Sequence, residues 1–149
     1  MQEKKPPALR ISKKRIIIIL VFIVWAIYMV NYVVNMIIAG ETEPNVVVTL
    51  QHIDIQGDHG VRIPMDAITN IELKSAIPKI KQRVWGYNSF SSAKKGKFKL
   101  KGLGVGRIYI FTANGPYLYI SMGEEFVIIG FKDPDKTRQL YEQTVSQRE

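Results

Sequence analysis

The sequence predicts a mainly β domain with a carboxyl-terminal α-helix, its strands packed as a two-sheet sandwich or small barrel, behind one amino-terminal transmembrane helix. Three changes of pattern carry this reading. Ile16 to Ala39 is an unbroken apolar run; from Val46 onward strand-length apolar runs alternate with turn residues; after Asp133 the apolar spacing becomes helical. With 149 residues the chain has room for one ordinary domain and an appendage, not for a two-domain enzyme with its own cofactor fold. It contains no cysteine, which excludes disulfide frameworks, thiolate metal sites and cysteine nucleophiles together.

The 24 residues from Ile16 to Ala39 hold no charged side chain and no proline. At a rise of about 1.5 Å per residue such a helix is about 36 Å long, enough to cross ~30 Å of hydrocarbon with some tilt. Lys4, Lys5, Arg10, Lys13, Lys14 and Arg15 precede the run, whereas Glu41, Glu43, Asp54 and Asp58 follow it with no early Lys or Arg. The positive-inside bias therefore places the amino terminus in the cytoplasm and everything from Gly40 outside the cell membrane, as a single-pass protein. A cleaved export signal is the rival, but the apolar run is longer than such signals carry, and Ile37-Ile38-Ala39-Gly40 is a poor cleavage site. The expected divisions are a basic cytoplasmic segment at 1–15, the transmembrane helix at 16–39, a polar linker at 40–45 and the domain at 46–149.

Within the span Tyr28, Asn31, Tyr32 and Asn35 recur at i, i+3, i+4 and i+7, and Trp25 extends the same face. Asparagine amides in hydrocarbon favour a partner on another helix, with a gain of ~0.6–2 kcal/mol. These five residues are a candidate face for self-association or for a protein partner; alternatively the asparagines reach the headgroups and the rings face lipid.

In the domain, Val46 to Gln56 reads as one strand whose shift of apolar phase marks a bulge near Gln51 and His52 or a late start to pairing. Val61 to Pro64, Ile68 to Leu73 and Arg83 to Tyr87 follow as short strands. Lys97-Phe98-Lys99-Leu100-Lys101 alternates strictly, which puts the three lysines on one face and Phe98 and Leu100 in the core. Arg107 to Phe111, Tyr117 to Met122 and Phe126 to Phe131 complete the set of short strands, expected in antiparallel order. Asp133 is placed to cap the last helix, Pro134 suits its first position, Asp135 complements its dipole, and Leu140, Tyr141 and Val145 form its apolar stripe.

Charge is the strongest signal beyond structure. Ten basic residues and no acidic one lie between Leu73 and Gly123, in a region from Gly40 onward that holds 15 basic and 12 acidic residues. Lys94, Lys95, Lys97, Lys99 and Lys101 are the candidate face for an anionic membrane or wall surface, each worth about 1 kcal/mol near such a surface. The competing reading is a solvated strand whose lysines block edge-to-edge pairing. No clear stacking platform accompanies them at Phe90 and Phe98, so nucleic acid is not expected as a partner. The Gly102 to Gly106 G-x-G-x-G leads into a strand rather than a helix and reads as a bend, not a phosphate cradle. His52, Asp54, Asp58 and His59 read as a chance cluster at a hairpin, and Ser89, Ser91 and Ser92 have no histidine nearby to activate them.

Arg83-Val84-Trp85-Gly86-Tyr87, Gly96-Lys97-Phe98, Gly106-Arg107-Ile108-Tyr109-Ile110, Tyr117-Leu118-Tyr119-Ile120 and Phe131-Lys132-Asp133-Pro134 together resemble the bacterial pleckstrin-homology (PH) domain family, over about Val46 to Val145. The resemblance implies a PH-like fold of two near-orthogonal sheets capped by a helix, and a binding or scaffold role rather than catalysis. The first hairpin, Gln56-Gly57-Asp58-His59-Gly60, lacks the basic residues with which phosphoinositide-binding members hold their ligand, so that activity is not implied. The expectation is thus a membrane-anchored PH-like module, without metal or cofactor, docking a protein partner or an anionic surface, possible homo-oligomerisation included. The alternative is a structural or regulatory subunit of a membrane complex, recognised through its transmembrane helix.

Overall fold

A computed structural model describes residues 12–57, 59–89 and 92–148. The basic positions before Ser12, and Asp58, Phe90 and Ser91, lie outside the described residues. Helix α1 runs Lys13–Glu41, uninterrupted because its first following proline is Pro44. Its length and composition suffice to cross a membrane, a property that a membrane span and an amino-terminal export signal share. The chain divides into two units, Met1–Ile37 and Ile38–Glu149, so the last turn of α1 belongs to the same unit as the β domain.

Among the described residues that domain holds nine strands and one further helix. β1 (Val46–Val48), β2 (His52–Ile55) and β3 (Val61–Pro64) form an antiparallel sheet in that order, with Val46 opposite Ile55 and Ile53 opposite Ile63. The expected single strand from Val46 to Gln56 is therefore a hairpin. Its phase shift marks a turn at residues 49–51, closed by the Thr49 hydroxyl, which donates to the His52 carbonyl at 2.8 Å and accepts from the His52 amide at 3.0 Å.

A short 3₁₀ turn, Met65–Ala67, leads to the second sheet: β4 (Asn70–Lys74), β5 (Ile80–Asn88), β6 (Lys94–Leu100), β7 (Gly104–Ile110), β8 (Tyr117–Met122) and β9 (Glu125–Gly130). Its spatial order is β4-β8-β9-β7-β6-β5. The expected wholly antiparallel arrangement fails at one pair: β7 and β9 run parallel, Arg107 beside Val127 and Ile110 beside Gly130. The chain leaves β7, forms β8 on the far side of β9, and returns by the tight turn at Gly123 between β8 and β9.

β4 and β5 are the two edges of this sheet, yet only Ser75 to Lys79 separate them in sequence. Six residue steps reach about 20 Å at most, whereas five interstrand spacings of ~4.8 Å in a flat sheet amount to ~24 Å. The sheet must therefore curl, and the connection crosses its concave side, where the Tyr119 hydroxyl donates to the Ala76 carbonyl at 3.0 Å. The curl stops short of closure, since β4 and β5 do not pair: this is a two-sheet domain and not a barrel.

Both faces of the curled sheet consequently carry a buried core, while β5 and one end of β6 and β7 stay partly exposed. One face contributes Tyr109, Leu118, Ile120, Val127 and Ile129 to a core shared with Ile53, Ile55 and Ile63 of the first sheet and Leu140 of the last helix. The other contributes Phe98, Leu100, Ile108, Tyr117, Tyr119 and Ile128 to a second core, which Ile77 and Ile80 cover. This explains why β8 and β9 read as continuous apolar runs where strands with one wet face alternate. Helix α2, Pro134–Ser146, begins as expected, with the Asp133 carboxylate accepting from the Asp135 amide at 2.9 Å. Two buried threonines complete its seat: the Thr137 hydroxyl accepts from the Phe131 amide at 3.1 Å, and the Thr144 hydroxyl donates to the Leu140 carbonyl at 2.7 Å.

Burial lifts the hydroxyls of Tyr109, Tyr117 and Tyr119 above their ordinary range, Tyr119 from 10.0 to about 12 with Tyr117 and Glu72 adding to the effect. Between those values the folded state holds a proton that the unfolded chain has released, so stability is full below pH 10 and falls as pH rises toward 12. Tyr119→Phe is expected to cost about 1 kcal/mol at neutral pH, the net worth of one hydrogen bond. Across that alkaline window the variant is expected to lose stability less steeply than the parent. Denaturant unfolding at a series of pH values, followed by near-ultraviolet circular dichroism, checks this; equal slopes refute it.

Candidate binding groove

Strand β6 decides the fate of the expected lysine face. Lys95, Lys97 and Lys99 point to the side of the first core, and Gly96, Phe98 and Leu100 to the second. Register sets each lysine in a row across three strands: Tyr87, Lys95 and Tyr109; then Trp85, Lys97 and Arg107; then Gln82, Lys99 and Val105. Gly86 and Gly96 separate the first two rows, face to face and both at positive φ. A Cβ on Gly86 would lie 2.2 Å from the Lys95 carbonyl oxygen and 2.8 Å from the Gly96 Cα, so only glycine lets the strands approach here.

Exposure rises along the rows. Lys95 is 6% exposed, Lys97 half-buried and Lys99 exposed. Lys95 is therefore not part of a solvent face: its Nζ donates to the carbonyl of Ala39 at 2.6 Å and reaches that of Thr42 at 3.5 Å. Those oxygens are at the carboxyl end of α1, where carbonyls lack intrahelical donors and the dipole is negative, so a buried ammonium is stabilised there. The same turn packs on Tyr87, whose hydroxyl donates to Glu41 at 3.2 Å and whose ring lies where a Cβ on Gly40 would be, 2.3 Å away. Burial, then the bond to Glu41, raises the Tyr87 hydroxyl above its ordinary range. Gly40 and Glu41, expected in a linker, thus complete the helix, and the connection to β1 is Thr42 to Asn45.

The remaining lysines also separate. Lys94 lies on the opposite side of β6, its Nζ 3.4 Å from the Ser92 carbonyl, and Lys101 lies beyond the strand in an exposed turn. Lys97 and Lys99 alone of the five share an open strand face.

Beside them is a cavity of about 320 Å³ that sequence reading does not single out. Lys97 and Arg107 line it from the second sheet, Val61, Arg62 and Ile63 from β3, and Glu125 from the start of β9. Arg62 is held 3.5 Å from Asp54. The Arg107 guanidinium lies 5.9 Å from the Trp85 ring centre, and its Nη1 is buried without a hydrogen-bond partner. The His59 ring packs on Trp85 at 4.3 Å, while the His59 carbonyl accepts from the Tyr109 hydroxyl. Arg107 partly opposes the rise that burial causes in the Tyr109 hydroxyl. Alternation places Arg107 on the Tyr109 side of β7; that this side is partly open at Arg107 depends on where the first sheet ends, which no local pattern reports.

On α1, Trp25, Tyr28, Asn31, Tyr32 and Asn35 are all exposed, and the Asn31 amide donates to its own helix at the Ile27 carbonyl, 2.9 Å away. Among the described residues no three His, Asp or Glu side chains converge as a metal site would require.

A family model described as Bacterial PH domain matches residues 45–145, more than half of the chain. No curated protein and no solved structure matches it.

Lys95→Met is expected to destabilise the domain by ~1.5–3 kcal/mol, the range for hydrogen bonds to a charged group. Lys99→Met, an exposed change, should stay within ~0.5 kcal/mol, and Gly40→Ala should cost ~1–3 kcal/mol by forcing a methyl into the Tyr87 ring. Denaturant midpoints of the full-length chain in detergent micelles measure all three. Equal effects at Lys95 and Lys99 would show that the bonds at the helix end contribute nothing.

Proposed function

The chain belongs to the bacterial PH domain family, and on that premise we propose that it is a binding or scaffold module held at the cell membrane by α1 and presenting a basic surface to an anionic partner. Domains of this family are in general binding modules without catalytic chemistry. The observation that carries the rest of the reading is charge: Lys97 and Lys99 on an open strand face, and Lys101 in the exposed turn after it, lie in a stretch of sequence from Leu73 to Gly123 without a single carboxylate. Such a field attracts anionic headgroups or wall polymers and weakens with salt over about 10 Å. The basic flank before Ile16 supports an amino terminus in the cytoplasm and a domain outside it. Protease cleavage of the domain in intact spheroplasts tests that orientation; full protection would overturn it.

A second reading, recognition through the helix itself, draws on the exposed aromatic and asparagine face of α1. It is weakened at Asn31, whose amide already bonds within its own helix. If it holds, Asn31→Leu with Asn35→Leu abolishes crosslinked oligomers in cells.

For the leading reading, energy transfer from Trp85 to a dansyl lipid is measured in vesicles carrying the full-length Trp25→Phe chain. Transfer is expected to rise with the anionic lipid fraction and to fall with added salt. Lys99→Glu with Lys101→Glu should remove at least the ~2 kcal/mol that two surface lysines supply. Transfer indifferent to lipid charge sinks the electrostatic reading.

A further inference from the structure

We propose that the groove at Arg107 binds a carboxylate carried on a short apolar body, with Lys97 and Arg107 holding the anion. The inference rests on the domain being a binding module, but on different residues from the exposed lysines that would meet a membrane. Three observations lead to it.

The first is shape and lining. About 320 Å³ lies at the lower end of the volumes that take small ligands, and Val61, Ile63, Val105 and Val127 supply apolar lining. A bare anion leaves such a surface uncovered, and a purely apolar ligand leaves the cations unpaired.

The second is charge. Arg107, Lys97 and Arg62 face a single carboxylate, Glu125, in the lining. Arg62 is engaged with Asp54, which leaves Lys97 and Arg107 as the pair adjacent to each other on neighbouring strands. Two cations set against one lining carboxylate suit a monoanion better than a highly charged one.

The third is the state of the guanidinium. It is half-buried beside the Tyr109 hydroxyl, on which it acts, and its Nη1 is shielded from water without a hydrogen-bond partner, so an anion in the groove meets its other nitrogens. A guanidinium partly desolvated in this way gains more from an arriving anion than one in bulk water. The Trp85 ring lies at its side, 5.9 Å from the guanidinium.

The experiment uses the full-length Trp25→Phe chain in zwitterionic detergent micelles, with Trp85 fluorescence as the readout. N-acetyl-leucine carries both the carboxylate and the apolar body, N-acetyl-leucinamide the body alone, and inorganic phosphate the charge alone. The expected result is a saturable change with N-acetyl-leucine, and none with the other two at concentrations tenfold higher. Arg107→Gln should raise the half-saturating concentration at least tenfold and Lys97→Gln at least threefold, while Lys99→Glu with Lys101→Glu leaves it unchanged at high salt, where the field of the exposed lysines is screened. A peptide ending in leucine that binds over tenfold tighter identifies a polypeptide end as the source of the group, and equal binding identifies a free small acid.

The proposal is overturned if N-acetyl-leucine gives no saturable change, if the amide or phosphate binds equally well, or if both single variants bind as the parent does. Should Arg107→Gln lose its near-ultraviolet dichroism, Lys97→Gln alone decides. Vesicle binding lost through Lys99 and Lys101 with this titration unaffected separates the two readings.

Discussion

The second sheet has to bury both of its faces with one short chain connection, and the rest of the domain follows from that constraint. Ser75 to Lys79 link the two edge strands across the concave side, so the sheet curls around Phe98, Ile108, Tyr119 and Ile128 and leaves its other face to the first sheet. The first sheet is smaller, three short strands against six. It covers the row through Tyr109 but not the whole face, and residues of one strand pass from core to solvent within three alternate positions. Lys95, Lys97 and Lys99 trace that passage. A buried lysine is stabilised only by a specific acceptor, a half-buried one lines a groove, and an exposed one contributes field.

The last turn of α1 supplies the acceptor that Lys95 requires. Ala39 and Thr42 offer carbonyls at the negative end of the helix, Gly40 leaves space for the Tyr87 ring, and Glu41 accepts from its hydroxyl. Two residues further on, Glu43 accepts from the Lys132 amide at 2.6 Å and pairs with Lys136 at 2.8 Å, joining the segment before β1 to the start of α2. Residues 38–43 are thus part of the domain's hydrogen-bonded structure, although their sequence resembles a hydrophobic tail followed by a polar spacer.

What was legible in the sequence was local. The runs at Tyr117 and Phe126 read as buried strands because burial on both faces leaves no polar alternation, and Asp133-Pro134-Asp135 reads as a helix start because capping needs only neighbouring residues. The turn at Thr49 reads as a bulge in the sequence, since a phase shift of alternation is common to both and a side-chain hydroxyl decides between them. The parallel pairing of β7 with β9 is set by packing across the sheet, and nothing in either strand announces a neighbour's direction. The site divided in the same way. Alternation correctly set Lys97 and Lys99 on one face, but the fate of Lys95 depends on a helix end 56 residues away in sequence.

Arg107 shows why charge counting alone misplaces the chemistry. In sequence it is one of ten basic residues in an acid-free stretch, and the lysines of β6 dominate by number. In the fold those lysines are divided among a buried contact, a groove, two exposed positions and the opposite side of their strand. Arg107 stands where cover is partial, beside an aromatic ring and among apolar walls, with one nitrogen shielded from water. Desolvation strengthens whatever electrostatic contact such a group makes, because the competing solvent is already partly removed. On the binding role proposed for this domain, discrimination among anions would reside in the half-buried row at Arg107 and Lys97, and the exposed lysines beyond it would supply attraction without selectivity.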